Sequence, residues 1–72
     1  NAEYWKAAAH AEFKIGNTIS SMSAYEEASL LSPADKEIWL NWSFIYYEQG
    51  EPQKAIEILL QAMDENPDEP EF

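Results

Sequence analysis

Residues 36–67 run KEIWLNWSFIYYEQGEPQKAIEILLQAMDENP, and the punctuation of this stretch decides the fold. Asp35, just ahead of it, has a side-chain oxygen suited to capping the free N–H groups of a helix start. The predicted helix covers about 36–49. Gly50 closes it, because glycine accepts the left-handed conformation found just past helix ends. Pro52 then stands where a first-turn proline is tolerated. It opens a helix over about 52–65, which stops ahead of Pro67 because the residue before a proline disfavours helical dihedrals.

The same punctuation occurs earlier in the chain. The 72 residues contain only two glycines, Gly16 and Gly50, and 50 − 16 = 34. Sliding the chain by 34 pairs Glu3 with Glu37, Trp5 with Trp39, Gly16 with Gly50, Ala28 with Ala62, Pro33 with Pro67 and Glu37 with Glu71. Six identities over 38 compared positions, with turn residues in register with large aromatics, mark two copies of one supersecondary unit. In the first copy, residues 2–15 hold the strong helix formers Ala7, Ala8, Ala9 and Ala11, with Trp5, Ala8, Ala9 and Glu12 along one side. Asn17 is read as the N-cap of a helix over about 18–31, whose apolar stripe is Met22, Tyr25, Ala28 and Leu31 or its neighbours. Ser32-Pro33 stops it. Four helices with short links leave no room for a sheet.

Composition narrows the function. Four basic against 14 acidic side chains give 4 − 14 = −10, a charge that phosphate repels, so nucleic acid is not an expected partner. No run approaches the roughly 18 apolar residues of a membrane span. Without cysteine there is neither a disulfide framework nor a thiolate metal site. The chain opens at Asn1 with no Met or signal-like segment, as expected of one processed or cut from something longer.

The residues that carry the repeat resemble the tetratricopeptide repeat (TPR) pattern W-x2-L-G-x2-Y, then A-x3-F, then P. In the second copy Trp39, Trp42, Ser43, Tyr46, Ala55, Leu59, Ala62 and Pro67 fall on it; in the first, Trp5, Ala8, Ala9, Tyr25, Ala28 and Pro33 do, while Glu12 stands in the tyrosine slot and Ser21 in the alanine slot. The resemblance implies an all-α fold. It comprises two TPR helix-turn-helix repeats, about 2–35 and 36–69, forming a right-handed α-solenoid segment of four antiparallel helices, with a truncated third unit opening at 70–72. Small residues let paired helices approach at Ala9 with Ser21 and at Ser43 with Ala55. Glu12 fits a first helix whose outer face meets water.

The resemblance also implies that the first helix of each pair lines a concave groove for extended peptides or partner helices. Carried over residue by residue, the groove set is Glu3, Lys6, His10, Phe13 and Lys14 from the first helix and Glu37, Leu40, Asn41, Phe44, Tyr47 and Glu48 from the third. Independently of that mapping, Lys6, His10 and Lys14 lie at i, i+4 and i+8 on one helical line. This is either a cationic strip suited to an acidic peptide or chain-terminal carboxylate, or a set of lysines paired with Glu3, Glu37 or Glu48. Lys6 and Asn41 also match part of the clamp with which a subset of the family holds chaperone-tail carboxylates, but His10 stands where that clamp has asparagine. Phe13, Leu40, Phe44 and Tyr47 supply either an apolar groove or packing of the helix seam.

The last helix carries two apolar stripes, Ala55-Leu59-Ala62 and Ile56-Leu60-Met63. The first can pack on its partner helix. Ile56, Leu60 and Met63 then form an association surface covered by further repeats of a longer array, by a second copy, or by the C-terminal segment with Phe72. No cofactor is implied. Asn41-Trp42-Ser43 spells a glycosylation triplet but falls inside a helix. The acids Asp64, Glu65, Asp68, Glu69 and Glu71 lack the spacing of a calcium loop. His10 has no second histidine with which to hold zinc. Ser20, Ser21 and Ser23 lie in a helix interior without a strained elbow, and Glu26 and Glu27 diverge by about 100° on a helix and cannot flank one bond. An enzyme is not expected. The expected role is a non-enzymatic scaffold binding protein or peptide, the alternative a structural spacer or dimerisation segment with no ligand of its own.

Overall fold

The computed structural model describes residues 1–68. The expected opening of a third unit at 70–72, and Phe72 as a cover for α4, lie outside the described residues. Four helices follow one another: α1 (Ala2–Lys14), α2 (Thr18–Leu31), α3 (Lys36–Glu48) and α4 (Pro52–Glu65). α1 packs on α2 and α3 on α4, and α2 joins the pairs by packing against α3. The molecule is a thin slab of 35 × 29 × 14 Å.

Each boundary has a local cause. The Asn1 side chain accepts a hydrogen bond from the Tyr4 N–H at 2.9 Å, and Asp35 Oδ1 accepts from the Glu37 N–H at 3.0 Å. Both glycines are left-handed, Gly16 at φ 91° and Gly50 at φ 78°. Around each, two bonds close the preceding helix. The Gly16 N–H reaches the Phe13 carbonyl at 3.1 Å and the Asn17 N–H reaches Glu12 at 2.8 Å, and Gly50 to Tyr47 (3.0 Å) and Glu51 to Tyr46 (2.9 Å) repeat the arrangement. This is the Schellman closure, two otherwise orphaned carbonyls satisfied by a turn that only glycine enters without strain.

The core follows the contact between pairs. Ala9, Tyr25, Ala28, Ile38, Trp39, Trp42, Ile45 and Ala62 are buried together. Ser21 Oγ donates to the Ala9 carbonyl at 2.7 Å, which draws the α2 backbone onto α1. Ser43 and Ala55 are both buried where α3 meets α4. Trp39 stacks on Trp42 with ring centroids 5.9 Å apart and donates its indole N–H to the Pro33 carbonyl at 2.8 Å. The Asn66 amide donates to the same carbonyl at 2.7 Å and to Ala62 at 2.9 Å. The Trp42 indole N–H is buried and has no partner among the described residues.

Three sequence expectations are corrected. Asn17 is the residue before α2 but makes no side-chain cap; its amide instead donates to Glu12 Oε2 at 2.9 Å, so Glu12 is partly buried and held by the turn it precedes. On α2 the inward set is Ser21, Ala24, Tyr25, Ala28 and Ser29, with Leu31 exposed. This helix is gripped by α1 on one side and α3 on the other, so its buried arc is wider than a single stripe. On α4, Ile58 and not Leu59 joins Ala55 and Ala62 in the interior. Leu59 stands 34 residues after Tyr25, and α3 covers Tyr25 while no described element lies over Leu59.

Candidate functional site

The side chains expected to line a groove fall into two clefts and one ion-pair cluster. In the cluster, Lys6 Nζ lies 2.8 Å from Asp35 Oδ2, 2.9 Å from Glu37 Oε1 and 3.6 Å from Glu3 Oε2. These contacts bridge the first repeat to the start of the second. The hydrogen bonds that Lys6 donates to Asp35 and Glu37 raise its ammonium well above the ordinary lysine value, outweighing the cost of its partial burial. Its charge is thus satisfied within the chain. Asp35, read from the sequence only as a cap, uses Oδ1 for the helix and Oδ2 for the lysine.

Between α1 and α3 lies a narrow cleft of about 190 Å³ lined by His10, Phe13, Tyr25, Asn41, Phe44 and Ile45. A shallower depression with His10, Tyr25 and Asn41 also in its wall runs from it toward Lys6 and Glu37. His10 and Phe13 come from α1, Asn41 and Phe44 from α3, and Tyr25 from α2 forms the floor. Burial pushes the Tyr25 phenol up, a shift opposed by its hydrogen bond with the Asn41 side chain. Two polar side chains and three aromatic rings therefore converge on one slot. Lys14 is exposed and lies in neither wall.

Leu40 and Tyr47 line a different and larger cleft of about 620 Å³ between α3 and α4, together with Phe44, Pro52, Ile56 and Leu59. Leu60 and Met63, expected to share a surface with Ile56, are 54% and 40% exposed on α4 outside the cleft wall. The sequence reading missed Tyr25 as a groove residue because it also satisfies the core stripe. It missed Leu59 as a surface residue for the same reason.

Among the described residues no group of three or more His, Cys, Asp or Glu side chains could hold a metal ion, and no helix is long and apolar enough to cross a membrane. A tetratricopeptide repeat family model matches residues 13–72. No curated protein sequence matches the chain. Two helix pairs, each with its first helix closed by a left-handed glycine 34 residues from the other, agree with that match over most of the length. The chain accordingly belongs to the tetratricopeptide repeat family, whose repeats generally mediate contacts between proteins.

Proposed function

We propose that the slot between α1 and α3 captures a segment of a partner protein. The observation that carries this reading is Phe44, an aromatic side chain 50% exposed on the rim of a cleft whose opposite wall is His10 and Phe13. An apolar side chain of the partner entering between Phe13 and Phe44 removes these rings from water, and Asn41 and His10 supply hydrogen bonds to its backbone. Lys6 contributes by holding the two walls together, since its three carboxylate partners leave no uncompensated charge for an acidic ligand. The slot therefore selects for shape and apolar anchoring. Lys14, on the same helical line, is a peripheral contact.

A peptide library displayed on phage and selected against the whole chain tests this. Selected peptides lose binding to Phe44→Ala and to Asn41→Ala while the helical circular dichroism of both variants is retained. Peptides that bind all three proteins equally refute the slot. A second reading, a spacer that associates through α4, is favoured by the exposed side chains Ile56, Leu60 and Met63. It predicts that Leu60→Asp alters the oligomeric state and leaves peptide capture intact.

A further inference from the structure

The slot between α1 and α3 does not end at its aromatic rings. His10, Tyr25 and Asn41 stand in the wall of both the narrow cleft and the shallower depression beside it, about 360 Å³ in volume, so the two form one groove along α1 and α3. One end of the groove is apolar, with Phe13 and Phe44. The other carries Glu3, Lys6 and Glu37. Lys6 and Phe13 are seven residues apart on α1, and Glu37 and Phe44 are seven apart on α3. The two ends are therefore separated by about 10 Å along the helices.

The charges at the polar end do not balance. The Lys6 ammonium faces three carboxylates, those of Glu3, Asp35 and Glu37, so the cluster carries a net charge of −2. Exposure decides which sign a visitor meets. The Lys6 side chain is 18% exposed, whereas Glu37 is 64% and Glu3 82% exposed. The ammonium is thus sunk beneath the carboxylates it holds. Lys14 and Lys36 are exposed on the same two helices but lie outside the walls of the groove. Among the lining side chains, Tyr25 and Asn41 are neutral at pH 7, and the whole chain, with His10 neutral, adds a field of the same negative sign.

We infer, resting on the reading of the slot as a peptide site, that the segment it captures is extended and basic: an apolar side chain with a lysine or arginine two residues away. The apolar side chain enters between Phe13 and Phe44, and the cation lies over Glu3 and Glu37. In an extended chain every second side chain points the same way, and each residue advances about 3.3 Å. Two residues therefore cover about 7 Å of the 10 Å between the ends, and the long flexible stem of the basic side chain covers the rest. The residue between them turns its side chain to solvent and its backbone toward His10 and Asn41. Charge complementarity sets the sign of the partner. An acidic segment or a terminal carboxylate finds no free ammonium, because Lys6 is already shared by three carboxylates. A helical segment would instead need its apolar and basic residues about seven apart to span the same groove.

A phage library of random peptides with a fixed central phenylalanine, panned against the whole chain, tests the inference. Lysine or arginine is enriched over aspartate or glutamate at the second residue from the phenylalanine, and not at the seventh. In fluorescence anisotropy the most enriched peptide loses about tenfold in affinity when that basic residue becomes glutamate, since the exchange reverses the charge opposite two exposed carboxylates. Raising salt from about 50 to about 500 mM narrows the difference. Glu3→Gln combined with Glu37→Gln removes the preference, while Lys6 keeps its 2.8 Å contact with Asp35 to join the repeats. Glu37→Asp, which preserves the charge, retains it. The inference is overturned if acidic residues are enriched, if neither sign is, if the enrichment falls at the seventh residue, if salt leaves the difference as it was, or if the double glutamine variant keeps the preference. The underlying reading fails differently. Phe44→Ala lowers the affinity of the lysine and glutamate peptides alike if the slot is the site; if it changes neither, or if no peptide is selected, the slot and the inference fall together.

Discussion

Replacing Lys6 with methionine keeps the aliphatic stem and removes the positive charge that faces Asp35, Glu37 and Glu3. The Lys6 side chain is 18% exposed, Asp35 27%, Glu37 64% and Glu3 82%. The part-buried, charge-assisted bond to Asp35 at 2.8 Å is worth about 1.5 kcal/mol. The Glu37 contact, screened by solvent, adds about 0.5 kcal/mol, and the Glu3 contact at 3.6 Å adds nothing measurable. Lys6→Met therefore destabilises by about 2 kcal/mol in urea unfolding followed by circular dichroism at pH 7. Asp35→Asn removes the same charge pair while leaving an oxygen to cap α3, so the double-mutant cycle isolates a coupling of about 1 kcal/mol. The pH dependence supplies an independent check. A lysine whose folded pKa is raised contributes fully below its unfolded value of about 10.4 and loses that contribution as pH rises through the folded one. The gap between the wild type and Lys6→Met is thus flat through neutral pH and narrows above about pH 10.4. Tyr25, whose phenol is also raised, weakens both proteins in the same direction; the Lys6 charge opposes that rise, so its removal pushes the phenol further up and partly offsets the narrowing. A gap below about 0.5 kcal/mol at low salt, or one that stays constant to about pH 12, would refute the claim that this cluster joins the repeats.

Other substitutions discriminate between local causes. A Cβ at Gly16 or Gly50 meets nothing within 4 Å, so Gly→Ala at either position costs only the left-handed backbone, about 1 kcal/mol, measured by thermal unfolding. A loss several times larger would mean that the closure is not the source of the cost. Trp39→Phe loses a hydrogen bond as well as area, whereas Trp42→Phe removes an N–H that has no described partner; the first variant is expected to be the less stable by about 1 kcal/mol in urea. Ser21→Ala deletes the bond to the Ala9 carbonyl and costs about 1 kcal/mol in the same assay.

The helix boundaries were legible because each is written within a few residues. The expected spans 2–15 and 36–49 end one residue late, and 18–31 and 52–65 coincide with the observed helices. Glycine, proline and aspartate act through their own backbone or the next turn, so a single sequence displays them. What each helix faces was less legible. Leu31 and Leu59 satisfy a 3.6-residue period as well as Ser29 and Ile58 do, and the choice is made by the position of a neighbouring helix. Lys6 belonged by spacing to a strip with His10 and Lys14, yet its partner Asp35 is 29 residues away across the repeat boundary. The slot itself combines side chains from three helices. Phe13, Asn41 and Phe44 could be assigned to it by family resemblance, whereas Tyr25 could not.

The Pro33 carbonyl, which accepts from both Trp39 and Asn66, bears on where one repeat ends and the next begins. By sequence period the second unit starts at about residue 36. By hydrogen bonding it starts three residues sooner, since a fragment beginning at Lys36 would strand the Trp39 indole N–H and leave the Asn66 amide only its bond to Ala62. Any shuffling, duplication or dissection of these repeats should therefore cut ahead of Pro33, so that the modular unit carries its leading turn with it.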